Sequence, residues 1–210
     1  MERRRGTALI LSIALIISII GLGIAFAAFS QNLTINGSAT VTASTWDIHY
    51  AATDGGSAPG SSGATITPSA TNTQTGIPST ATSTKGTLKA TDFTWAGTFK
   101  TPGDRLTYTF YICNGGSYNA KVSSINTPNI SCTKGGSSET TICGKISYGV
   151  YKSSTQSDAN RVAQNDTLNA GTCTQVWVIA TLGSDITAAQ LPDANITVTP
   201  TTITIGYTQK

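Results

Sequence analysis

Apolar and polar positions divide the chain into three regimes. From Thr7 to Phe29 the positions are apolar or small, and none is charged. Behind that run the period becomes two. Phe29, Leu33 and Ile35 share one parity, Ser30, Asn32 and Thr34 share the other, and Val41 continues the first parity past Gly37. Trp46, Ile48 and Tyr50 form a second short run, with Asp47 and His49 on the opposite parity. Period-two alternation marks a half-buried strand, because successive side chains point to opposite faces of the pleat. From Ala51 to Thr91 the alternation lapses into Gly, Ser, Thr, Ala and Pro, with Ile66 and Ile77 the large apolar residues as far as Thr84. That composition predicts a long mobile loop over about residues 51–91, with one weak strand near Ile66.

Strand patterns resume at Leu88 and Phe93-Thr94-Trp95. Thr101-Pro102-Gly103-Asp104 is a turn, since Pro presets φ and Gly accepts φ > 0. It opens the clearest run of all, Leu106, Tyr108, Phe110 and Ile112 against Thr107, Thr109, Tyr111 and Cys113, which Asn114-Gly115-Gly116 ends. Further strands follow around Ala120–Ile125 and Ile142–Val150, with an apolar, central strand around Val176–Ala180 and two last strands at Ile196–Val198 and Ile203–Tyr207. Ser184 to Gln190 is compatible with one helical turn. Many short β-branched and aromatic runs between turn signals predict an all-β chain, a jelly-roll or Ig-like β-sandwich behind one N-terminal hydrophobic helix.

The apolar run is long enough to span a bilayer, which takes roughly 20 residues. Arg3, Arg4 and Arg5 hold its start on the cytoplasmic side. Its exit Ala25-Phe26-Ala27 fits the small-residue rule for signal-peptide cleavage. Three fates follow: cleavage between Ala27 and Ala28, an uncleaved signal anchor in the membrane through residues 7–29, or a prepilin-type cut after Gly6. Each exports the rest of the chain, so residues 1–27 are read as signal peptide or transmembrane segment and 28–210 as one extracellular domain.

Charge and cysteine content agree with export. Charged residues make up 11% of the 210 residues, and the leader's arginines account for most of the net charge of +3. A nucleic-acid partner would call for a basic patch that the remainder lacks. The four cysteines, Cys113, Cys132, Cys143 and Cys173, are an even set in an exported chain and are read as disulfides. Three pairings are open. The Gly-Gly turn between Cys132 and Cys143 favours that pair, which leaves Cys113 with Cys173. No two cysteines have the short spacing of a zinc site, and no cofactor is expected.

The exit Phe26-Ala27-Ala28-Phe29-Ser30, the segment Thr45-Trp46-Asp47-Ile48 and the turn-strand Pro102-Gly103-Asp104-Arg105-Leu106-Thr107-Tyr108-Thr109-Phe110 resemble the TasA/camelysin-like exported proteins at the level of the superfamily. The four cysteines and the 51–91 segment stand outside that resemblance. It implies processing by a dedicated signal peptidase ahead of Ala28. It also implies a jelly-roll subunit of an extracellular filament or biofilm matrix, a head-to-tail homopolymer with itself as partner. The N-terminal strand of one copy, with Phe29, Leu33 and Ile35 on its apolar face, would insert into the sheet of the next. The alternatives are that this strand pairs within its own sheet, or that the protein is an anchored or pilin-like surface domain for adhesion and binding. An enzyme is not expected. His49 is the single histidine, and neither a zinc-binding helix nor a Ser-His-acid set can be completed around it. Asn32, Asn36, Asn129, Asn165 and Asn195 each head an N-x-S/T triplet, which arises by chance in so Thr-rich a chain.

Overall fold

The computed structural model describes residues 44–186 and 194–210. The apolar leader, the cleavage positions Ala27 and Ala28, and the strand positions Phe29, Leu33 and Ile35 lie outside the described residues. So does most of the helical turn expected over 184–190.

Within the described part, alternation becomes register. In β6 (Asp104–Asn114), Leu106, Tyr108, Phe110 and Ile112 are buried, while Thr107, Thr109 and Tyr111 are half-buried on the other face. Its antiparallel neighbour β12 (Thr172–Leu182) buries Val176, Val178, Ala180 and Leu182 on the same side. Beyond β12 lies β10 (Ile146–Tyr151). On its other flank, β6 pairs with two short strands in turn: β1 (Ile48–Ala51) along its C-terminal half and β3 (Ser69–Asn72) along its N-terminal half. These five strands form one sheet.

The second sheet is built on β13 (Ile196–Gln209), one long bulged strand where the pattern predicts two. The residues around Pro200 are taken up in a register shift between Val198 and Thr201, the kind of irregularity at which a sheet tolerates proline. On one side β13 pairs with β5 (Asp92–Phe99), then β4 (Thr82–Leu88), then β2 (Ala64–Thr65). On the other it pairs with β8 (Cys132–Lys134), which carries β9 (Ser137–Glu139), and with β7 (Ala120–Asn126), which carries β11 (Thr167–Leu168).

The two sheets meet through an aromatic file. Tyr50 packs on Phe110, Phe110 on Phe93, Phe93 on Tyr108, and Tyr108 near Trp95, with centroids 4.9–6.3 Å apart. Each large side chain so buried contributes about 1.5–3 kcal/mol. The result is an all-β, sandwich-like fold of antiparallel sheets.

The segment expected to be a mobile loop with one weak strand near Ile66, residues 51–91, contributes three strands to the sheets, β2, β3 and β4. Two features recruit it. First, β4 is the partner of β5 in a hairpin, and it can lie close because Gly86 has no side chain; a Cβ there would sit 2.3 Å from the Ile66 carbonyl and 2.8 Å from the Tyr108 ring. Second, Asp104 is fully buried and gathers the segment around its carboxylate. It accepts from the backbone N–H of Thr80 at 2.9 Å, Lys100 at 3.1 Å and Thr101 at 2.9 Å, and from the hydroxyls of Thr80 at 2.7 Å and Ser79 at 3.2 Å. Burial alone would push this carboxyl up; the donors, led by Thr80, outweigh it and hold the group below the usual carboxylate range. Gly103, at φ 87°, supplies the left-handed turn that aims Asp104 inward.

Cys132 is bonded to Cys143 and Cys113 to Cys173. Gly135 and Gly136 turn β8 into β9, which closes the first loop. In the second, the two cysteines stand directly opposite each other on β6 and β12.

Candidate assembly groove

The two principal strands of the second sheet differ in length, and the difference leaves an edge. The β4–β5 hairpin turns tightly, with the Lys89 N–H donating to the Asp92 carbonyl at 2.8 Å. Pairing of β5 with β13 therefore stops at Asp92 opposite Thr204. The longer strand runs on through Gln209, held on one side by β7. On its other side, among the described residues, no strand accompanies residues 205–209.

What meets that edge comes from the opposite sheet. Tyr50 of β1 crosses the sandwich, and its hydroxyl oxygen accepts the Ile205 N–H at 2.9 Å. The Tyr50 N–H in turn donates to the Ala90 carbonyl in the hairpin turn at 2.8 Å. Tyr50 thus caps the first donor of the overhang and fixes how near β1 can approach. A groove of about 360 Å³ remains, lined by Trp46, Ile48, Tyr50, Ala90, Thr91, Ser124 and the 204–207 stretch of β13.

The groove carries no formal charge. None of its lining residues is Lys, Arg, Asp or Glu. Burial raises the Tyr50 hydroxyl far above its ordinary value, partly offset by the Ile205 N–H, and burial followed by the charge of Asp166 raises that of Tyr207. Both phenols therefore stay neutral at any physiological pH. One lip, Trp46, is 48% exposed, a large apolar ring left in water. The site is an uncharged trough of mixed apolar and hydroxyl-bearing side chains along the 204–207 stretch of β13.

The chain enters the domain at this same end. Ser44 to Asp47 lie against the turn that follows β6: Gly115 N–H donates to the Asp47 carbonyl at 2.8 Å, Ser117 N–H donates to that of Thr45 at 2.9 Å, and the Ser44 and Tyr118 hydroxyls are 3.0 Å apart. The first described residue, Ser44, is two positions from Trp46 at the groove.

Chemistry elsewhere is sparse. His49 has Nδ1 2.8 Å from an Asp47 carboxylate oxygen and Nε2 3.1 Å from the Gly56 carbonyl, so it ties a surface turn to β1. Among the described residues no group of three or more His, Cys, Asp or Glu is placed to hold a metal. A larger hollow, about 400 Å³, lies between the Cys132–Cys143 loop and Tyr148. Its lining centres on the disulfide-closed β8–β9 hairpin and the Tyr148 side of β10, and the 205–209 overhang is no part of it.

Sequence reasoning placed all four cysteines and the Tyr50 strand but missed the groove. The available signal was a mismatch of run lengths: no turn residue interrupts Thr201 to Ile205, whereas the partner run stops at Asp92. The chain matches no family model, no curated protein and no solved structure.

Proposed function

We propose that this chain is the structural subunit of an extracellular filament or matrix, a jelly-roll sandwich that polymerises head to tail. In this reading cleavage between Ala27 and Ala28 frees the alternating segment, and Phe29, Leu33 and Ile35 of one copy fill the groove of the next while its backbone pairs with residues 205–209. The observation that carries the reading is the overhang of β13: a strand edge that no strand accompanies among the described residues, beside an uncharged trough.

Strand addition of this kind draws affinity from main-chain hydrogen bonds and specificity from alternate side chains in pockets. A strand placed one residue out of register would turn its apolar parity to water, so the alternation also sets the register. Because the donor and the acceptor are different surfaces, the contact is heterologous and propagates instead of closing. Two intramolecular disulfides suit a subunit that works in an oxidising compartment.

The test is intact mass and N-terminal sequencing of the exported protein, with negative-stain microscopy of the same sample. Filaments built from chains that start at Ala28, and lost on deletion of residues 28–36, are the expected result. A retained leader on a monomeric surface protein would overturn assembly and leave the anchored binding domain. Filaments built from chains that start at Thr7 would move the protein to a pilin-like packing through the apolar helix.

A further inference from the structure

Five asparagines head N-x-S/T triplets, and composition alone accounts for such a number. The fold separates the described ones from four of the six other described asparagines, Asn126 and Asn169 being exposed as well. Four non-triplet asparagines have side chains committed to the structure. Asn72 donates to the Pro102 carbonyl, Asn114 to the carbonyls of Tyr118 and Leu168, and Asn160 to that of Thr155, while Asn119 accepts the Ala170 N–H. The three described triplet asparagines are the reverse. Asn129, in the connection from β7 to β8, Asn165, in the turn before β11, and Asn195, just ahead of β13, are all exposed. Their side-chain amides have no hydrogen-bond partner among the described residues. Asn165 also has positive φ (72°), which projects it from the tip of its turn. None of the three lines the assembly groove.

We propose that the exported protein is N-glycosylated at Asn129, Asn165 and Asn195. The reaction class is transfer of an oligosaccharide from a lipid-linked phosphate or pyrophosphate donor. The Asn Nδ2 bonds to the anomeric carbon, the bond from that carbon to the phosphate oxygen breaks, the lipid phosphate leaves, and the amide loses one proton to the transferase base. The hydroxyl two residues on, that of Ser131, Thr167 or Thr197, completes each acceptor triplet. Sugars at these three positions would hydrate a surface on which Thr and Ser largely replace charge, without blocking strand addition.

This inference rests on the export assumed in the proposed function, and its test keeps the two apart. The protein is taken from the extracellular and surface fractions of the cells that naturally make it, and its peptides are mapped by mass spectrometry. Peptides with Asn129, Asn165 and Asn195 are expected to carry a glycan mass that N129Q, N165Q and N195Q each remove singly. Ser131→Ala and Thr167→Ala should remove the same masses with the asparagines intact. Asn126 and Asn169 are exposed but head no triplet, and are expected unmodified. Exported protein with bare Asn129 and Asn165 would overturn the glycans while leaving export standing. Protein confined to the cytoplasm with its leader attached would overturn both.

Discussion

The two ends of the sandwich are finished in opposite ways. Where β5 turns into β6, the buried Asp104 collects donors from Ser79 and Thr80, from Lys100 and Thr101, and from the Asn72 amide at 3.4 Å. Gly103 N–H donates to the Leu182 carbonyl at 2.9 Å, and Thr73 N–H donates to the Gly103 carbonyl at 2.9 Å. Polar groups that come together there satisfy one another. At the other end β13 outruns its partner strand, a tyrosine from the opposite sheet caps one N–H, and a tryptophan is left half in water. A sheet edge with a row of open main-chain groups invites further strands, and natural proteins usually blunt such edges with charge or proline. Here the lining of the edge has neither. The contrast teaches that one chain can satisfy its polar groups through converging hydrogen bonds at one end and, among the described residues, leave a strand edge unaccompanied at the other.

The largest expected effect comes from breaking the closed end. Asp104→Ala removes the buried acceptor that five part-buried donors share, and each such bond is worth about 0.5–1.5 kcal/mol net. We expect a loss of about 3–5 kcal/mol in chemical denaturation, a large share of a typical domain's stability. Asp104→Asn keeps the shape but turns an NH₂ toward donors, so it should recover only part of that loss. The sign with pH follows from the depressed carboxyl. Its folded-state pKa lies below the unfolded value of 3.8, so its contribution is fully present above that value and is lost as pH falls through the folded pKa. Acid unfolding of the parent should therefore steepen below about pH 4, and the Asp104→Ala variant should lack that component. A variant as stable as the parent would remove the closed end from the comparison.

The disulfides sharpen it next. Cys113–Cys173 lies near the open end and closes a separation of 60 residues, against 11 for Cys132–Cys143. On chain entropy alone, the long loop is worth about 4 kcal/mol and the short one about 3 kcal/mol. Replacing Cys113 and Cys173 by Ala should thus lower the denaturation midpoint further than replacing Cys132 and Cys143. The reverse order would mean that native contacts in the β8–β9 loop, and not loop closure, set the value of the bridges.

How much of this was legible in the sequence depended on whether a residue advertised its partner. The alternation of Leu106 to Ile112 named its own inward face, and the pair Cys132 and Cys143 named each other across a Gly-Gly turn. The 51–91 segment did not, because what orders it lies elsewhere in the chain: the carboxylate of Asp104, the ring of Tyr108 against Gly86, and the edge of β5. Thr has good strand propensity when a partner strand is present, but a run such as Thr82-Ser83-Thr84 has no apolar parity to announce it. The groove was hidden for a related reason. An overhang is a difference between two strands, and neither Asp92–Phe99 nor Ile196–Gln209 records it alone.

The smallest expected change in stability carries the most about function. Trp46 is 48% exposed, so Trp46→Ala removes little buried area from the isolated domain and should change its unfolding free energy by no more than about 0.5 kcal/mol. If the groove receives a strand from a second copy, the same ring becomes buried on assembly and is worth about 1.5–3 kcal/mol there. The variant should then fold as the parent does yet form filaments only at a subunit concentration higher by roughly ten- to a hundredfold, read by sedimentation of the assembled fraction. Equal critical concentrations would mean that the exposed tryptophan is an ordinary surface residue and that the overhang of β13 is left to water.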